Sequence, residues 1–123
     1  MIEIAALVYA AACVGIIGFQ VCLIAGAPWG HVTQGGQHDG PLPTAGRIFA
    51  GVSILLLSGM ALAIMSVAGF WPGWPGWTVW PALAVQVLTT VLNWITRSPA
   101  ERRLWAPIMT AMLALAVFVW LGA

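Results

Sequence analysis

The chain has 123 residues, 62% of them hydrophobic and 6% charged, with a net charge of +1 and a mean hydropathy of +1.00. A soluble domain carries about 25% charged residues, so this composition excludes an ordinary water-soluble globule and places the chain in the membrane class. Four basic residues and three acidic ones leave no basic patch, and no nucleic-acid partner is expected.

Residues 4 to 25 contain no Asp, Glu, Lys, Arg or His. A membrane-spanning helix needs roughly 20 apolar residues, and a first span is expected over 4–26. Ala25-Gly26-Ala27 resembles a cleavage site, but the start Met1-Ile2-Glu3 lacks a basic n-region, so the segment reads as a retained span. Tyr9, Cys13 and Gln20 fall within about 40° of one another on a helix and form a candidate inward face. Cys13 and Cys22, nine residues apart, face opposite sides and are read as small buried side chains. Ala11, Gly15, Gly18, Cys22 and Gly26 add a weak small-xxx-small pattern.

Residues 26–47 follow. They hold both histidines, the sole aspartate and three prolines. Twenty residues between spans is long for a helix hairpin, and the segment is nearly uncharged, so it is expected to lie against the membrane interface. Gln34-Gly35-Gly36-Gln37 can gather backbone N–H groups into an anion-binding nest, with Arg47 opening the next helix and His38 beside it. The alternative is a tight turn made by the glycines, with Pro41 and Pro43 setting an extended approach to the helix. His31, His38 and Asp39 do not have zinc-site spacing, so no metal, cofactor or catalytic residue is expected.

The second and third spans are expected over 47–69 and 78–96. They are divided by Phe-Trp-Pro-Gly-Trp-Pro-Gly-Trp at 70–77, where proline and glycine stop a helix. The second span carries Ser53, Ser58 and Ser66, which can bond to their own preceding turn. The third is the most polar. Gln86, Thr89, Thr90 and Asn93 stand at i, i+3, i+4 and i+7, one continuous stripe. An unpartnered amide in hydrocarbon costs several kcal/mol, so the stripe must face a helix, a subunit or water.

The fourth span is expected over 99–121. Ser98-Pro99-Ala100-Glu101 reads as a capping box with proline at the first helical position, and Pro107 is deep enough to kink the helix. The result is an all-α, integral membrane four-helix bundle forming a single domain. All four arginines, Arg47, Arg97, Arg102 and Arg103, lie in or beside the 26–47 and 97–103 loops. The positive-inside rule puts both loops in the cytoplasm and both termini outside. The eight tryptophans divide into two interfacial belts, Trp71, Trp74, Trp77, Trp80 and Trp120 at the outer face and Trp29, Trp94 and Trp105 at the inner.

Gly-Ala-Pro-Trp-Gly, Gly-Gly-Gln-His and Leu-Pro in the long loop, with Ser-Pro-Ala-Glu-Arg-Arg-Leu-Trp-Ala-Pro near the end, resemble a set of short, uncharacterised four-span bacterial membrane proteins. The resemblance implies four helices and a bacterial plasma (inner) membrane; it carries no activity and no functional residues.

Gln20, Ser53, Thr89, Thr90 and Asn93 all fall in the half of the membrane beneath the long loop. The leading reading is therefore a protein that binds or translocates a small neutral or anionic solute in a polar pocket. Its expected ligand-binding residues are Gln20, Gln86, Thr89, Thr90 and Asn93 below, with Gln34, Gly35, Gly36, His38 and Arg47 above. The alternative is a non-catalytic accessory or scaffold subunit whose stripe contacts a partner. A membrane enzyme using His31 or His38 comes third, since no intramembrane acid or nucleophile motif supports chemistry. Beyond the lipid bilayer, the expected partners are further copies of the chain or a partner membrane subunit.

Overall fold

A computed structural model describes all residues 1–123. It contains four long helices and no strand: α1 (Ile2–Ile24), α2 (Thr44–Val67), α3 (Val79–Ile95) and α4 (Pro99–Gly122). Each of the four helical segments is long and apolar enough to cross a membrane, a single 3-10 turn at Gly76–Thr78 extending α3 at its start. The protein is a four-helix membrane bundle of the expected kind, with helix ends within three residues of the predicted spans.

The helices start and stop for local reasons. Ser98 caps α4, its Oγ accepting the Glu101 N–H at 3.1 Å, and Pro99 fills the first position. Only half of the expected capping box forms. The Glu101 carboxylate does not turn back to the Ser98 N–H, which donates to Thr96 Oγ1 at 3.3 Å instead. Pro107 lies inside α4 without dividing it. Ser53, Ser58 and Ser66 each donate to the carbonyl four residues back on α2, which satisfies the hydroxyl inside its own helix.

The termini and the 70–77 turn share one face of the bundle, the terminal face. The 26–43 and 96–98 connections share the other, the loop face. The helices form a ring in which α1 packs on α2 and α4, and α3 packs on α4, while α2 and α3 touch far less. The main core lies in the terminal half. It joins Ala6, Tyr9 and Cys13 of α1, Met60 and Ile64 of α2, Ala82 and Leu83 of α3, and Met112, Ala116 and Val119 of α4. In the loop half the buried apolar group shrinks to Leu23, Leu42 and Ala50, with Phe19 against it. Outward-facing Leu, Ile and Val side chains on all four helices are exposed, as a lipid-solvated surface requires.

Cys13 is buried and Cys22 exposed, neither bonded to the other. Gly15 and Gly18 have open space where a side chain would project, so the small-residue pattern of α1 brings no helix of this chain close. Trp80 and Trp120 meet edge to face at 5.1 Å near the terminal face. Trp29 and Trp105 both pack on Phe19 at the loop face.

Candidate functional site: a cavity beneath the long loop

Residues 26–43 fold into a roof. Two 3-10 turns, Gly30–Val32 and Gln34–Gly36, carry the chain across the loop face. The roof closes on itself where the Gly30 N–H donates to Gly40 O at 3.1 Å. A side chain at Gly30 would run into the carbonyls of His38 and Gly40, so glycine is required there. The roof is then tied to α4 three times. Ser98 Oγ donates to His31 O at 2.7 Å, Trp105 Nε1 donates to Val32 O at 2.7 Å, and the Gly35 N–H donates to the Glu101 carboxylate at 2.9 Å. It is tied to α2 by Gln34 Nε2, which donates to Gly46 O at 2.8 Å, and by Arg47, whose Nε donates to Leu42 O at 2.9 Å.

Gln34, Gly35 and Gly36 have positive φ of 50°, 78° and 68°, the turn that a backbone nest requires. Its anion comes from within the chain. Glu101 accepts the Gly35 N–H, and the Gly36 N–H goes to Thr33 O at 2.9 Å. This corrects the expectation of a nest free to take an external anion. Gly36 has a second constraint, since a Cβ there would lie 2.6 Å from Ser98 Cβ.

Under the roof lies a cavity of about 910 Å3, within the usual range for small-molecule sites of about 300–1,000 Å3. Its existence follows from the ring. Among ring neighbours α2 and α3 pack least, and the cavity lies between them toward the loop face. Phe49, Ser53 and Leu56 border it from α2, and Leu88, Leu92 and Asn93 from α3. Gln20 contributes from α1, and Glu101 and Trp105 from α4.

Of the ten residues expected to bind ligand, Gln20, Gln34, Gly35, Gln86, Thr89 and Asn93 border this cavity, and Thr90, Gly36, His38 and Arg47 do not. Thr90 is buried behind the wall, His38 supplies backbone to the roof's clasp, Gly36 lies against Ser98, and Arg47 fastens the roof to α2. The α3 stripe is split by its neighbours. Gln86 is 1% exposed and accepts the Tyr9 hydroxyl at 2.8 Å through Oε1, while its Nε2 donates to Met109 O at 3.1 Å. Thr90 donates to Gln86 O at 2.7 Å. Those groups knot α1, α3 and α4 together and form the cavity's floor. Thr89 and Asn93 turn the other way and bond only within α3, to Gln86 O and Thr89 O. The side-chain amides of Gln20 and Gln37 and the Oδ1 of Asn93 make no hydrogen bond within the chain, so the wall offers unclaimed donors and acceptors.

Sequence reasoning missed Thr33, Thr96, Arg97 and Glu101 as wall residues, and left Ser53 and Gln37 out of the expected ligand-binding set. Glu101 is the most consequential. It is 6% exposed, makes one hydrogen bond through Oε2, and has no cation within 4.0 Å, the chain's single ion pair being that of the N-terminus with Glu3. Its only signal in the sequence, the spacing to Ser98, pointed to a cap instead. His31, His38, Asp39 and the cysteines form no group of three that could hold a metal.

No family model, curated protein or solved structure matches the chain.

Proposed function

We propose that this small polytopic membrane protein binds a small solute in the cavity beneath the 26–43 roof, and that the cavity faces the cytoplasm. One observation carries the reading: a space of about 910 Å3, between helices and under a folded loop, bordered by the unbonded amides of Gln20 and Gln37 and the free Oδ1 of Asn93. Helix glue alone would have consumed those amides. An unsatisfied amide facing hydrocarbon costs several kcal/mol, which makes a polar occupant or water the natural partner. The cytoplasmic assignment rests on the four arginines near the loop face. The Tyr9–Gln86–Met109 knot closes the cavity toward the opposite face, so translocation would require these three helices to part. The Gly35 N–H is taken by Glu101, which favours a neutral or donor-bearing solute over an anion.

Cysteine accessibility tests this without knowledge of the solute. In a background of Cys13→Ala and Cys22→Ala, Asn93→Cys in lipid vesicles should react with a membrane-impermeant maleimide added on the loop side. Val87→Cys, on the exposed outer surface of α3, should stay unreactive, because a thiol in hydrocarbon does not ionise. Equal reactivity at the two sites, or none at Asn93→Cys, would sink the reading.

A further inference from the structure

The cavity has a polarity gradient and a side opening, and together these define its ligand more narrowly. The inference rests on the cavity reading just given. At the loop end the wall is polar, with Gln20, Gln37, Asn93, Arg97 and Glu101; toward the membrane centre it is apolar, with Leu57, Met60, Val85 and Met112. The seam between α2 and α3 is edged by Phe49, Leu56, Leu88 and Ile95, which both border the cavity and stand 47–67% exposed on the outer surface. Residues that belong to the cavity wall and to the lipid-facing surface at once mark a lateral opening into the bilayer.

Glu101 adds the chemistry. A carboxylate has about four lone-pair positions, and here one is used, by the Gly35 N–H. Glu101 is 94% buried by its 6% exposure, on the cavity wall, with no cation of the chain beside it. Buried carboxylates are ordinarily paired. The first turn of α4 and one backbone N–H stabilise the charge in part, and the rest falls to whatever occupies the cavity. Arg97, on the same wall, is exposed and makes no hydrogen bond or ion pair within the chain, so it cannot be that partner in this arrangement.

We propose that the ligand is an amphiphile bearing a protonated amine, which enters through the α2–α3 seam, donates its ammonium to Glu101 and lays its apolar chain along the lower wall. No covalent step is involved. Such a molecule is either a simple alkylamine or an aminophospholipid, whose phosphate would lie within the reach of Arg97. The shared chemistry is the ammonium on an apolar chain.

The test uses Asn93→Cys in the cysteine-free background, reconstituted in phosphatidylcholine vesicles, which lack a donor amine. Its modification rate is referenced to a cysteine at exposed Ala100, outside the cavity. Dodecylammonium should slow labelling at concentrations where dodecanol and dodecyl sulfate do not. Glu101→Gln, which keeps an acceptor for the Gly35 N–H, should weaken that protection by about tenfold, the loss expected for a charge-assisted hydrogen bond. Protection by added phosphatidylethanolamine that is lost in Arg97→Gln identifies the lipid as the source. Protection by dodecylammonium with none by phosphatidylethanolamine identifies a simple amine; both results support the ammonium. Equal protection by the amine, alcohol and sulfate, or protection unchanged in Glu101→Gln, overturns the inference while leaving the cavity standing. No labelling of Asn93→Cys before any probe is added overturns the cavity reading itself. The headgroup series on the unsubstituted Glu101 protein decides the matter even if Glu101→Gln fails to fold.

Discussion

The two halves of the bundle are built from similar helices and spend their polar residues in opposite ways. In the terminal half every buried polar side-chain atom has a partner within the chain. At its boundary with the loop half, Tyr9, Gln86, Thr90 and Met109 O satisfy one another, and large side chains from all four helices close the terminal side. In the loop half Gln20, Gln37 and Asn93 keep free hydrogen-bonding capacity, the α2–α3 seam opens, and a loop of the chain supplies a lid. The two uses meet on α3, where Thr90 and Asn93 stand three residues apart. A membrane protein cannot spare polar groups in hydrocarbon, and the half that leaves them free is the half proposed to hold a solute. The packed half provides the fixed floor that such a site requires.

The roof is where this contrast is most easily broken. Gly30→Ala should produce the largest effect of any single substitution considered, because its Cβ would meet two backbone carbonyls that cannot rotate away. A loss on the order of 2–4 kcal/mol is expected from such overpacking of a fixed backbone. The loss should fall on the roof rather than the bundle: the 26–43 segment should become protease-sensitive while circular dichroism stays helical. If the helices melt together with the roof, the two halves are a single cooperative unit and the division is wrong.

The floor comes next. Gln86→Leu leaves the Tyr9 hydroxyl without its acceptor and removes one interhelical bond to Met109 O, which keeps Thr90 Oγ1. Interhelical bonds in membranes are worth about 0.6 kcal/mol, and up to about 1.7, so a loss of about 1–2 kcal/mol is expected in unfolding by denaturing detergent. Tyr9→Phe combined with Gln86→Leu should recover part of that loss, since it removes the stranded donor. Additive losses would mean that the two side chains do not act as a pair.

Much of the fold was legible in the sequence. Long uncharged runs, the Trp-Pro-Gly repeat and Ser98-Pro99 fixed four helices and their ends, because lipid leaves few alternatives. The stripe on α3 was legible as well, as a set of groups that could not face lipid. How that stripe divides was not. Gln86 and Thr90 differ from Thr89 and Asn93 only by about a sixth of a turn of helix, and the side each takes depends on where α4 and α1 lie. The seam between α2 and α3 has no signature in either helix, since it arises from which neighbours pack best. Glu101 was read through its spacing to Ser98 as a capping residue. Its carboxylate instead reaches a glycine 66 residues earlier in the chain, a partner that no local pattern specifies. The nest at Gln34–Gln37 was legible as geometry, but not its occupant.

The finest test of the contrast sits on α3 itself. Asn93 and Gln86 are both amides on the same stripe, seven residues apart, and either one replaced by leucine loses the same functional group. Asn93 makes a single bond, to the Thr89 carbonyl of its own helix at 2.7 Å, and leaves Oδ1 toward the cavity. Its removal strands no partner, since that carbonyl remains within helical pairing. Asn93→Leu should therefore change stability by less than about 0.5 kcal/mol, the range of substitutions that touch no special feature. It should nonetheless reduce the wetting of the cavity, read as slower maleimide labelling of a cysteine at neighbouring Thr89. A stability loss as large as that of Gln86→Leu would mean that Asn93 also holds helices together. The free amides beneath the roof would then be structural, and the division of the bundle into a floor and a site would fail at the residue that defines it.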